Sequence, residues 1–180
     1  MNLNFNKTLC FTGHRPDKLH GYDYKSEGNV KLLKKIRKLL IRLIEVRGFD
    51  TFISGMALGT DMWCAKLILG LKKRYPHIKL VCAIPCAEQY SRWNEGDQRM
   101  YHDILSQADL VHCVSDKSYA PWLMIKRDEW MVDNSNFVFS VWNGDESGGT
   151  WKTVEYAVKR QRKIMNIHPH SLEIELNLKI

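Results

Sequence analysis

Short apolar runs and longer amphipathic stretches alternate along the chain. TLCFT (Thr8 to Thr12), DTFIS (Asp50 to Ser54), KLVCAI (Lys79 to Ile84), DLVHCV (Asp109 to Val114), NFVFSVW (Asn136 to Trp142) and Ile164 to Ile167 predict six strands. Between them, Asn29 to Arg47, Leu58 to Arg74, Gln98 to Gln107, Leu123 to Val132 and Thr150 to Arg162 predict helices. In the first helix Val30, Leu33, Ile36, Leu40, Leu43 and Ile44 fall on one stripe, and Lys31, Lys34, Lys35, Arg37, Lys38 and Arg42 fill most of the rest. That cationic side reads as a solvated face or as a nucleic-acid surface, the second without support from interleaved aromatics. Strands that alternate with helices call for a parallel sheet covered on both faces, in an open doubly wound α/β fold. The last stretch, LEIELNLKI (Leu172 to Ile180), alternates with period two. It can add an edge strand, pair with another subunit or fray.

Composition narrows the picture only in places. At 180 residues the chain is most economically one domain, residues 1–180 with a tail at about 168–180. Hydrophobic residues at 44% and charged residues at 26% describe an ordinary globular protein. No run reaches the roughly eighteen apolar residues of a membrane span, and MNLNFNKTLCF lacks a secretory leader pattern, so the expectation is a cytoplasmic protein with no membrane partner. The five cysteines, at 10, 64, 82, 86 and 113, show no CxxC spacing. Cys10, Cys82 and Cys113 fall in predicted strands, where a free thiol acts as a small core hydrophobe. His168 and His170 read as an exposed loop, so neither a metal site nor a resident cofactor is expected. The 27 Lys and Arg against 20 Asp and Glu give +7, which suits an anionic ligand, nucleic acid or simple solubility.

Candidate chemistry gathers at three glycine turns after predicted strands. These are TGHR (Thr12 to Arg15), SGMALGTD (Ser54 to Asp61) and GDESGGT (Gly144 to Thr150). In doubly wound folds ligands bind outside the carboxyl ends of the strands, so the three turns are expected to share one phosphate or ribose pocket. Helix starts present free N–H groups and a positive dipole end, which makes Ser54, Gly55, Gly59 and Thr60, and again Gly148, Gly149 and Thr150, candidate phosphate cradles. Gly13 leaves room for Arg15 to grip phosphate, and His14 can bond a ribose or phosphate or act as an acid or base. Asp61 suits ribose hydroxyls, or simply the dipole of its helix. Neither GxxxxGK[ST] nor GxGxxG is present, which argues against ordinary P-loop and dinucleotide-dehydrogenase readings.

The ordered set TGHRP, SGMALGTDMWCA, PCAEQYSRW, DNSNFVFSVWNG and GGTWKTVEYA, across about residues 8 to 167, resembles the SLOG superfamily of DprA- and LOG-like proteins, in particular its YpsA-like branch. The resemblance implies a Rossmann-like, mostly parallel sheet flanked by helices that binds a nucleotide-derived small molecule of nucleoside-phosphate, NAD or ADP-ribose type. Some relatives sense such signals in stress or phage conflict. Others are LOG phosphoribohydrolases that cut an N-glycosidic bond, and others resemble DprA and handle single-stranded DNA. By likeness to the LOG pattern, KRDEWM makes Arg127 the pocket arginine, stabilising phosphate or leaving-group charge while Glu155 or Asp61 assists water. Ser147 stands where that pattern has Pro, and Glu155 follows Thr150 by five residues, about 500° round the helix. Tyr90, Trp93, Tyr119 and Trp122 lie near the loops, where they can stack on a base or cover the sheet. A homo-oligomer, dimer or higher, is expected.

Overall fold

The computed structural model describes residues 3–178 and turns this alternation into one seven-stranded sheet. In chain order the elements are β1 (Thr8–Gly13), α1 (Glu27–Arg47), β2 (Thr51–Ser54), α2 (Thr60–Lys72), β3 (Lys79–Ile84), α3 (Glu95–Gln107), β4 (Leu110–Cys113), α4 (Pro121–Asp133), β5 (Phe137–Val141), α5 (Gly148–Lys159), β6 (Lys163–Ile167) and β7 (Ile174–Leu176). The sheet order is β4-β3-β2-β1-β5-β6-β7, parallel from β4 to β6, with β7 antiparallel on the outer edge. The chain steps outward from β1 to β4, then returns to lay β5 on the other side of β1. That reversal makes the carboxyl ends of β1 and β5 the switch point where a crevice opens.

Alternate strand residues point to opposite faces, and each face builds its own core. Leu9, Phe11, Phe52 and Leu80 pack with Ile36 and Leu40 of α1, Ile68 of α2 and Ile104 of α3. Cys10, Ile53, Val81 and Val138 pack with Met131 and Val132 of α4 and Val154 and Ala157 of α5. Each Val, Leu, Ile, Phe or Met among them, removed from water, stabilises the fold by about 1.5–3 kcal/mol.

Helix ends follow capping chemistry that periodicity alone does not show. α1 begins at Glu27, two residues before the predicted start, because the Ser26 hydroxyl accepts from the Asn29 amide at 3.4 Å. The Asn29 side chain is buried and ties down the preceding loop through the Gly21 and Asp23 carbonyls. The buried stripe accordingly runs through Leu32, with Leu33 only partly covered. Gly48, at φ 68°, closes the helix in the left-handed conformation that glycine adopts without strain. α3 starts at Glu95, where Asn94 accepts from the Asp97 amide at 2.9 Å.

At the sheet edges the structure refines two expectations. Cys10, Cys64, Cys82 and Cys86 are buried, but Cys113 is exposed. It shares a face of edge strand β4 with the exposed Val111, a face left open because α3 packs chiefly on α2. At the other edge Ile174–Leu176 forms the edge strand β7, while Lys179 and Ile180 lie outside the described residues. Among the described residues, no helix is long and apolar enough to cross a membrane.

Candidate functional site

A cavity of about 320 Å³ opens at the β1–β5 switch point. The end of β1 and the short 3-10 turn Pro16–Lys18 supply Gly13, His14, Arg15 and Lys18. α2 supplies Asp61, α4 supplies Met124, Arg127 and Asp128, and the start of α5 supplies Ser147, Gly148, Gly149 and Thr150. The structure thus brings together eight of the residues singled out in the sequence: Gly13, His14, Arg15, Asp61, Arg127, Gly148, Gly149 and Thr150.

The four others, Ser54, Gly55, Gly59 and Thr60, do not line the cavity and hold its wall from behind. The Ser54 hydroxyl donates to the Asp61 carbonyl at 2.9 Å and accepts from the Met56 amide at 3.1 Å. The Gly55 carbonyl accepts from the Arg127 guanidinium. Thr60 donates to the His14 carbonyl twice, through its hydroxyl at 3.0 Å and its amide at 3.3 Å. Gly59, at φ 87°, lets the chain pass so near that carbonyl that a Cβ would stand 2.8 Å from it. Among the first amides of α2, those of Thr60, Met62 and Trp63 are occupied within the fold, the last two donating to Ala57 and Gly59. The second turn is a fastener between β1 and α2, with the amide and hydroxyl of Thr60 turned to the His14 carbonyl.

The third turn differs. α5 starts at Gly148, φ 78°, with no side-chain cap from Ser147 and no acidic residue in its first turn. Its N-terminal dipole end faces the cavity. Arg15 lines the same cavity, is exposed, and forms no ion pair or side-chain hydrogen bond with any described residue.

Deeper in, charge is packed closely. Arg127 is 4% exposed; its Nε donates to Asp128 at 2.7 Å, while Nη2 approaches only the sulfur of Met124, at 3.9 Å. Asp61 is buried beside it, and the Ala57 amide donates to its carboxylate at 3.4 Å. Burial pushes the Asp61 carboxyl up to about 6 against the pull of Arg127; Asp128 adds to the rise, and the Ala57 amide and Arg15 oppose it. His14 is buried too, with Nε2 2.6 Å from Asn143 Oδ1. Burial holds its pKa below the ordinary histidine value, so the ring is a neutral tether between β1 and the loop after β5. Lys18 pairs with Asp145 and closes the same side.

Glu155 stands exposed on α5 and does not line this cavity; it lines a groove between α4 and α5, beside Ile125 and Tyr156, that adjoins the cavity through Met124, Asp128, Gly148 and Gly149. With the first turn of α5 at the cavity, five further residues carry the chain round to another face. Sequence reasoning missed Lys18, Met124, Asp128 and Asn143. Lys18 was accessible to it as a cation one turn past Arg15 behind a helix-starting Pro16; the others carry no local signal.

A family model described as the YspA SLOG family matches residues 9–174. A UPF0398 protein of Halalkalibacterium halodurans is 31% identical over 172 residues, covering 93% of this chain and 90% of that protein. Another, of Brevibacillus brevis, is 30% identical over 155 residues, covering 86% and 82%. Among solved structures, DNA processing protein A (DprA) of Streptococcus pneumoniae superposes with a TM-score of 0.61 at 15% identity, over 89% of this chain and 50% of that one. DprA of Helicobacter pylori, described for its single-stranded DNA binding mode, gives 0.59 at 14%, over 91% and 66%. At these identities the likeness is one of fold, and the chain spans half of one neighbour and 66% of the other.

Proposed function

This chain belongs to the YspA SLOG family, and from that premise we propose that it binds a nucleotide-derived small molecule of nucleoside-phosphate, NAD or ADP-ribose type, as a sensor, carrier or sponge. One observation carries the reading. The exposed, unpaired Arg15 and the uncapped start of α5 line one cavity at the switch point. A guanidinium and a helix N-terminus that share a cavity suit a phosphate, which accepts charge-assisted bonds from both. Nη2 of Arg127, bonded to no described oxygen, adds donors from the wall, and Asp61 offers an acceptor to a ribose hydroxyl. The neutral His14 and the Lys18–Asp145 pair hold the two sides of the cavity at a set distance.

Single-stranded nucleic acid is the second reading, favoured by the fold shared with DprA. The cations of α1 weigh against it, since Lys31, Lys34, Lys35, Arg37, Lys38 and Arg42 do not line this cavity. Isothermal titration with AMP, NAD, ADP-ribose and an oligothymidylate, at low and high salt, separates the two. Binding of a small ligand with little salt dependence, weakened at least about tenfold in Arg15→Ala, supports the proposal. Oligonucleotide binding with a steep salt slope, and no small-ligand binding, overturns it.

A further inference from the structure

The sheet face on which α1 packs continues past that helix over β5, β6 and β7. Strand register sets Phe137 beside Lys163, Met165 beside Leu176 and Ile167 beside Ile174, so these side chains share that face. α5 packs on β6 from the opposite face. A groove of about 610 Å³ is left between the three strands and the stripe Leu39, Leu43 and Val46 of α1. Of the side chains that line it, Val46 is 68% exposed, Leu176 60% and Ile174 39%. Exposed apolar residues scattered singly are ordinary, but three that share one groove mark a surface built for contact.

The charge around the groove has one sign. Arg42, Arg47 and Lys163 line it, are exposed, and form no ion pair or side-chain hydrogen bond with any described residue. Among the described residues no Asp or Glu lines it. Glu45 of α1 is held by Arg74 and Tyr75, and Glu175, paired with Asn166, belongs to the other face of β7.

We propose that this groove docks an amphipathic helix of a partner protein, with an apolar stripe on the sheet and Asp or Glu beside that stripe. A helix satisfies its own backbone hydrogen bonds and can lie on a sheet face. An added strand would take the open edge of β7 and leave Phe137 and Met165 uncovered. From Leu39 to Arg47 α1 rises about 12 Å, which matches a stripe of two to three turns. Carboxylates on the docked helix give Arg42, Arg47 and Lys163 the charge-assisted bonds they lack. A second copy seated here on a two-fold axis would instead gather the same three cations from both chains with no acid between them. The groove shares no lining residue with the switch-point cavity, so the inference stands apart from the ligand bound there.

The test is selection on the full chain from a phage-displayed library of peptides of about 16 residues, with leucine fixed at an i, i+4, i+7, i+11 stripe and every other position random. Selected peptides should carry Asp or Glu beside the stripe and, in fluorescence anisotropy, bind with a Kd of about 50 μM or tighter. Leu176→Ser, and separately Arg42→Glu with Arg47→Glu, should weaken them at least about tenfold. Lys34→Glu with Arg37→Glu, the same charge change on α1 away from the groove, should cost less than about threefold. The five side chains changed are exposed, so each variant should keep the wild-type denaturant midpoint. No enriched peptide, flanks without acids, binding that survives Leu176→Ser, or equal losses in the two charge variants overturns the proposal. So does self-association in sedimentation velocity that Leu176→Ser abolishes, which makes the occupant a second copy. Binding to phosphatidylcholine–phosphatidylglycerol vesicles that the same change abolishes also overturns it, in favour of an anionic bilayer.

Discussion

Gly13→Ala places one methyl group where β1 meets α2. A Cβ at residue 13 would stand 2.6 Å from Thr60 Oγ1, 2.7 Å from Cγ2 and 2.8 Å from Cβ. Carbon atoms settle at about 3.5–4.0 Å, so the neighbour must retreat by roughly 0.8 Å. Rotation of the Thr60 side chain does not relieve this, because its own Cβ is among the clashing atoms and its hydroxyl is held by the His14 carbonyl. The start of α2 has to move, and overpacking of this kind costs about 1–3 kcal/mol, with about 1 kcal/mol more if the Thr60–His14 bond breaks. Urea unfolding of the wild type, Gly13→Ala, Thr60→Gly and the double variant reads the cost directly. Thr60→Gly removes all three clashing atoms, so the cycle should show a favourable coupling of at least about 1 kcal/mol. A cost below about 0.5 kcal/mol for Gly13→Ala, or a cycle additive to within that amount, would refute the account of the second turn as a fastener.

Arg15→Ala should leave the denaturant midpoint nearly unchanged, within about 0.5 kcal/mol, because the side chain is exposed and unpaired, while phosphate-ligand affinity falls about tenfold or more. Arg127→Ala removes the partner of partly buried Asp128 and of the Gly55 carbonyl and should destabilise the chain by about 1–3 kcal/mol, measured by urea unfolding. Asp61 supplies a pH signature. Its carboxyl is held at about 6, above the ordinary 3.8, so the native state binds the proton more tightly, and stability falls as pH rises from about 4 through about 6. Measured as wild type minus Asp61→Asn between pH 4 and pH 7, that loss should be about 2–2.5 kcal/mol; a flat difference would show that Asp61 is solvated.

Much of the architecture could be read from local pattern, because each strand is a short apolar run and each helix an amphipathic one. The β1–β5 switch point gathers Gly13 and Arg15 of the first turn, Gly148–Thr150 of the third and, of the second turn's candidate residues, Asp61 alone. What local pattern could not show was which carbonyl a helix start would find. Thr60 looks like a phosphate ligand until His14, 46 residues earlier, brings its carbonyl against the same amide and hydroxyl. Arg127 likewise spends part of its guanidinium on Gly55, 72 residues away.

The most direct test of the central claim is a thermal-shift screen of the wild type and Arg15→Ala against nucleoside monophosphates, NAD and ADP-ribose, with mass spectrometry of each mixture afterwards. A ligand at about 100 times its Kd adds about 2.7 kcal/mol to the native state. For a chain of this size that raises Tm by roughly 5–10 °C. The account predicts such a rise for at least one phosphate-bearing nucleotide, recovered intact, and its loss in Arg15→Ala. A panel with no shift, or a shift that Arg15→Ala retains in full, would contradict it.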